Sequence, residues 1–284
     1  MDNISTIILA ASLIIIMLGM GLSLVTSDFK RILIYPKAIL VGLINQLLIL
    51  PLVAFTLVSV LSLESEIAIG IMILAACPGG ATSNLISHLA HGDTALSVTL
   101  TAFSSLITII TIPFIVNFSL LHFLSENQTI QLNVVETIIQ IFVIIIIPVS
   151  IGMIIRKYNE GFALKMAKPV RIASAIVLAL VIIGILVKEK DNFVSYLREA
   201  GLVAFLLNIL TMAIGYYSAK LLKVHHRGAI SIGIESGIQN GTLAISIAIA
   251  ILHSTSYAIA PAVYSLLMFF TGGLAIFLGI RSKK

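Results

Sequence analysis

The sequence predicts an all-α membrane protein whose nine transmembrane helices form two inverted repeats, each with one discontinuous helix. Three observations carry that expectation. Of 284 residues, 59% are hydrophobic and 10% charged, with a mean hydropathy of +1.15, whereas soluble domains are about a quarter charged. Apolar runs such as residues 138–155, IIQIFVIIIIPVSIGMII, are unbroken, unlike the alternating segments of about ten residues that build a transmembrane β-barrel. Two runs are interrupted at corresponding places by glycine-rich, polar stretches. The net charge of +5 resides in loops, which removes nucleic-acid binding from consideration, and the single Cys77 excludes an intramolecular disulfide or a multi-cysteine metal site.

Cutting at charged and turn-rich stretches gives apolar segments at 4–26, 36–61, 66–91, 93–123, 133–157, 168–188, 197–222, 227–252 and 257–281. The first lacks a basic n-region, Lys30 being the first lysine, and reads as a retained span. The second carries Asn45 and Gln46, a polar pair suited to an interhelical bond or a ligand contact. The third is cut by Pro78-Gly79-Gly80 into halves of about 12 and 10 residues, which together match a core of roughly 30 Å and put the break near mid-membrane. Leu85 to Ala90 is expected to form the second half. Thr82, Ser83 and Asn84 then stand at its N-terminus, where free amides favour an anion while the side-chain oxygens can face a cation. Ser97, Thr101, Ser104 and Thr108 form one stripe on the fourth segment. The eighth is interrupted over Gly233 to Gly241, where glycines, Gln239 and Asn240 surround Glu235; the helix is expected to be unwound there.

With the N-terminus outside, the cytoplasmic stretches hold 14 of the 17 Lys and Arg residues, which orients the chain N-out and C-in. In that orientation the segments of 4–123 and 168–281 run in opposite senses, as inverted repeats do, and 133–157 is an extra helix. Broken helices at matching positions of inverted repeats point to a secondary transporter with its site near the midplane.

Eleven of the twelve acidic residues lie in loops or at span ends, and the exception is Glu235. A carboxylate at that depth costs roughly 2.5 to 3.5 kcal/mol on insertion scales, and no Lys or Arg within a span offsets it. A bound cation or a proton is required, unless the group is a neutral hydrogen-bonding partner between helices. Oxygen donors from Glu, Gln, Asn and backbone suit an alkali ion. Gly233, Gly237 and Gly241 also form two overlapping GxxxG units, a helix-packing surface. His88 and His91 lack a third ligand, and no hydrolase or protease motif is present, so an enzyme is not expected.

The runs Cys77 to Asn84 (CPGGATSN), Gly92 to Thr101 (GDTALSVTLT) and Glu235 to Gly241 (ESGIQNG), with Met17 to Leu24 and Ser27-Asp28-Phe29, resemble the bile acid:sodium symporter family. That resemblance implies two crossed broken helices within a core domain, a smaller panel domain, and alternating access coupled to two sodium ions. It implies one sodium site at Ser83, Asn84, Ser97, Thr101 and Glu235, and a second at Gln46, Glu235, Ser236, Ile238 and Gln239. Substrate contacts are expected at Ala81, Thr82, Asn240, Met268 and Phe269. Ala81-Thr82 replaces the Thr-Ala common in the family, and Met268-Phe269-Phe270 stands where some members have a polar pair. The resulting expectation is sodium-coupled symport of an organic anion, bile-acid-like or a small carboxylate, across the plasma (inner) membrane. Proton coupling through Glu235, or a ligand-sensing protein that does not transport, are the alternatives.

Overall fold

The computed structural model describes residues 3–124, 133–188 and 193–281; the part of the expected external loop at 189–192 lies outside them. The nine apolar segments are mostly helical over their described residues, which contain no strand. Helices α1 (Asn3–Ser23), α2 (Pro36–Val60), α3 (Ser65–Ala76), α4 (Ala81–Leu89), α5 (Thr94–Phe123), α6 (Val134–Tyr158), α7 (Glu160–Lys188), α8 (Phe193–Leu221), α9 (His226–Gly237), α10 (Gly241–Ile251) and α11 (Ile259–Arg281) follow in order. Among the described residues five helices are long and apolar enough to cross a membrane, and a bent pair, Leu13–Ser23 with Thr26–Leu33, makes a sixth. Large apolar side chains point outward from them, Leu52 at 60% exposure, Ile110 at 58% and Phe114 at 57%, which is tolerable only against lipid. The chain is a multi-pass membrane protein.

Local chemistry sets where the helices depart from regularity. In α2 the segment Asn45–Ile49 is a π-turn. It falls just before Pro51, which has no N–H to donate and whose ring would press on the carbonyl of Leu47 in a regular helix. The π-turn leaves both Asn45 and Gln46 buried. Helix α3 ends because Cys77 precedes Pro78 and is driven into extended backbone, with φ −76° and ψ 153°. Gly80 is also extended, and α4 starts immediately after it at Ala81, earlier than the expected Leu85.

The second break is shorter than the sequence suggested. Helix α9 continues regularly through Glu235 to Gly237, and only Ile238 to Asn240 leave the helix. Gly233 and Gly237 serve close packing: a side chain at either would run into α8, at Met212 and Tyr216 or at Met212 and Asn208. Asn240 closes the break by accepting a bond from Leu243 N at 3.1 Å, capping α10. The two breaks meet. Gly79 and Gln239 form an isolated antiparallel bridge, and Asn240 N donates to Pro78 O at 2.9 Å. Helices α3–α4 and α9–α10 therefore touch at their interruptions. Elsewhere α1 packs against α6 and α7, while α8 packs against α9 and α11.

Candidate functional site

The touching breaks bury a polar cluster inside the bundle. Glu235 is 1% exposed, and Gln46, Ser83, Ser97, Thr101, Ser236 and Gln239 are equally enclosed. Ser83 Oγ donates to Glu235 Oε1 at 2.6 Å, Ser97 Oγ reaches the same oxygen at 2.5 Å, and Thr101 Oγ1 reaches Oε2 at 3.0 Å. Each hydroxyl has a second acceptor in range: Gly80 O for Ser83 at 2.7 Å, and Asn84 Oδ1 for Ser97 and Thr101 at 2.8 and 3.2 Å. With Asn84 Oδ1 turned to Ser97 and Thr101, six oxygen–oxygen contacts share three hydroxyl protons. At least three oxygen pairs have no proton between them, and protonating Glu235 supplies one more.

A second group of oxygens lies on the other side of Glu235. Gln46 Nε2 donates to Glu235 O at 3.2 Å, and Gln239 Nε2 donates to Glu235 O and Ser236 O at 3.1 and 3.0 Å. Both amides thereby spend their nitrogens on carbonyls of α9, and both Gln46 Oε1 and Gln239 Oε1 are buried without a partner. Ile238, at the break, is fully buried. The groups converge at Gly79, where a Cβ would strike Glu235 Oε2 and lie 3.0 Å from Gln46 Nε2 and 3.2 Å from Ser83 Oγ. Two ion pairs among the described residues, Arg156–Glu160 and His225–Asp93, lie elsewhere, and no cluster of three or more His, Cys, Asp or Glu occurs among the described residues. The arrangement is a set of hard oxygen donors around one carboxylate, suited to an alkali cation.

Beside the cluster is a cavity of about 340 Å³. Ala81, Thr82, Asn240, Met268 and Phe269, the five expected substrate contacts, all line it, together with Gln239, Met17, Met20 and Ser23. Its wall is mostly apolar, with the start of α4 and the Asn240 amide as polar points.

Ser83, Asn84, Ser97 and Thr101 lie on one side of Glu235 and Gln46, Ser236 and Gln239 on the other, with Ile238 buried at the break, but the serine and threonine stripe divides. Ser97 and Thr101 face Glu235, whereas Ser104 and Ser105 bond back to Thr101 O and Thr108 to Ser105 O. Asn45 turns away to Val41 O and Ser218 Oγ. Two residues next to the site were missed. Asn208 and Tyr264 are fully buried and both bond Gly237 O at the end of α9. Asn208 is a lone amide in an apolar segment and so carried a signal; a tyrosine carries none.

The model of the Sodium Bile acid symporter family matches residues 10–196. An uncharacterized sodium-dependent transporter of Bacillus subtilis, YocS, is 33% identical over 275 residues, covering 95% of this chain and 82% of its own. The probable sodium/metabolite cotransporter BASS1, chloroplastic, of Arabidopsis thaliana is 28% identical over 237 residues, 83% of this chain and 57% of its own. The hepatic sodium/bile acid cotransporter of Rattus norvegicus is 28% identical over 245 residues, 84% of this chain and 66% of its own.

Proposed function

Because the chain belongs to the sodium bile acid symporter family, a family of transporters and not of enzymes, we propose that it is a secondary transporter that carries an organic anion together with sodium by alternating access. One observation carries the reading: the buried Glu235 carboxylate, where the two breaks touch, is surrounded by more oxygens than there are hydroxyl protons to place between them. One sodium is held by Ser83, Asn84, Ser97, Thr101 and Glu235. The other is held by Gln46, Gln239, the Glu235 carboxylate and the carbonyls of Ser236 and Ile238, with the orphan oxygens of the two glutamines as the supporting feature.

The substrate occupies the neighbouring cavity. Its carboxylate faces the amides at the start of α4, with Thr82 and Asn240 beside it, and its apolar part lies against Met17, Met20, Met268 and Phe269. Among the described side chains no Lys or Arg lines this cavity, and the cation bound next door supplies positive charge for an anion. Nine spans, with 4–123 and 168–281 as inverted repeats and 133–157 between them, account for two breaks that meet antiparallel. The group formed by α1, α6 and α7 is the panel, and the helices around the breaks form the core. With the N-terminus outside, in a plasma (inner) membrane, the cavity lies beside the inner end of α1 and is the inward-facing state.

Glu235→Ala tests the assignment. In proteoliposomes the variant is expected to lose sodium-stimulated uptake of organic anions that the parent accumulates; full sodium stimulation in the variant would overturn it. Uptake driven by a pH gradient without sodium would move the coupling to protons at the same carboxyl group.

A further inference from the structure

The break after α9 strips the Gly237 carbonyl of its helical partner, because Gly241 N donates to Gln239 O at 3.0 Å instead. Two side chains from other helices take that carbonyl over. Tyr264 Oη donates to it at 2.6 Å and Asn208 Nδ2 at 2.7 Å, with Asn208 Nδ2 also 3.2 Å from Tyr264 Oη. Both residues are 0% exposed. Asn208 Oδ1 has no partner. A buried amide satisfied at one end only is less favourable to fold than a leucine of similar size, so packing does not explain the residue. What its nitrogen holds does.

The same stretch of α11 also touches the other side of the break. Next to Tyr264 is Ser265, and a Cβ at Gly241 would overlap Ser265 Oγ. Adjacent residues of one continuous helix thus grip the last residue of α9 and the first of α10. The carbonyls on the cation side are treated differently. Ser236 O loses its helical partner too, since Asn240 N donates to Pro78 O, and it receives only the Gln239 amide, as Glu235 O receives the amides of Gln46 and Gln239.

We infer that Asn208 and Tyr264 are positioning residues for the cation: by claiming Gly237 O they fix the angle of the break and leave the preceding carbonyls, of Glu235 and Ser236, directed at Gln46 and Gln239. The inference rests on the sodium reading given above. It separates two kinds of buried polar contact at one break, those that hold the backbone and those that offer oxygen to the ion.

The test is sodium-dependent thermal stabilisation of the purified full chain, with potassium as the control salt. Tyr264→Phe keeps the ring and removes the donor; Asn208→Leu keeps the volume. For Tyr264→Phe the melting midpoint in potassium is expected to stay near that of the parent, while the sodium concentration giving half-maximal stabilisation rises about tenfold, with Asn208→Leu shifted in the same direction. A merely structural role lowers the midpoint equally in both salts and leaves the sodium dependence unmoved, and that result overturns the inference. If Asn208→Leu fails to fold, Tyr264→Phe decides alone. A parent protein that sodium does not stabilise would overturn the sodium reading, and this inference with it.

Discussion

Gln46 shows how a single side chain states its role through the bond it does not make. Its amide nitrogen is committed to Glu235 O at 3.2 Å, and its oxygen is buried without a donor. An orphan oxygen of this kind costs about 1 to 3 kcal/mol and is best offset by a cation. Gln46→Leu is therefore expected to leave the fold intact while raising the sodium concentration for half-maximal uptake by roughly tenfold or more, the equivalent of about 1.5 kcal/mol for a contact with a charge. Sodium titration of initial uptake rates measures it, and an unchanged titration would remove Gln46 from the ligand set. Glu235 was legible in the sequence because a lone acid in an apolar run needs a cation, a proton or a hydrogen-bonding partner to offset its burial. Asn208 obeyed the same rule and was passed over, as its partners come from segments distant in sequence. Ser104 and Thr108 fitted the pattern and do other work, because a hydroxyl on a helix can satisfy itself on the preceding turn.

At the scale of elements, the first break was legible and the extent of the second was not. Pro78 removes a donor and forces Cys77 out of the helical region, so its effect is local and readable. The glycines around Glu235 had two possible uses, unusual backbone or close approach, and sequence spacing does not choose between them. The structure does: no glycine among the described residues has positive φ, and Gly233 and Gly237 lie flat against α8. Gly79 and Gly80, side by side in the first break, differ in the same informative way. A Cβ on Gly79 meets the Glu235 carboxylate and the Gln46 amide, whereas the nearest atom to one on Gly80 is Asn240 Cβ at 3.7 Å. Gly79→Ala is expected to lower stability by about 1 to 3 kcal/mol through overpacking and to abolish sodium stimulation. Gly80→Ala is expected to retain both. Melting curves of the two variants with and without sodium make the comparison, and equal behaviour would mean that the breaks do not converge on Gly79.

For the whole molecule, the count of ions fixes the energetics of transport. Two sodium ions moving with one monoanion transfer one net positive charge. A membrane potential of about 100 mV, negative inside, then contributes roughly 2.3 kcal/mol per cycle. A tenfold sodium gradient adds about 1.4 kcal/mol for each ion. The sum, about 5 kcal/mol, supports accumulation of several thousandfold. One sodium per monoanion gives an electroneutral cycle, driven by about 1.4 kcal/mol and limited to roughly tenfold accumulation. The two cases separate cleanly in proteoliposomes held at a fixed sodium gradient while a potassium diffusion potential is imposed. With both oxygen groups transporting, an inside-negative potential is expected to raise the uptake plateau about fiftyfold per 100 mV, 2.3 kcal/mol being somewhat under two decades. A plateau indifferent to the potential would mean that only one of the groups around Glu235 carries a co-transported ion. The variants then assign it: Ser97→Ala weakens the group held by α4 and α5, and Gln46→Leu the group held by α2 and the second break.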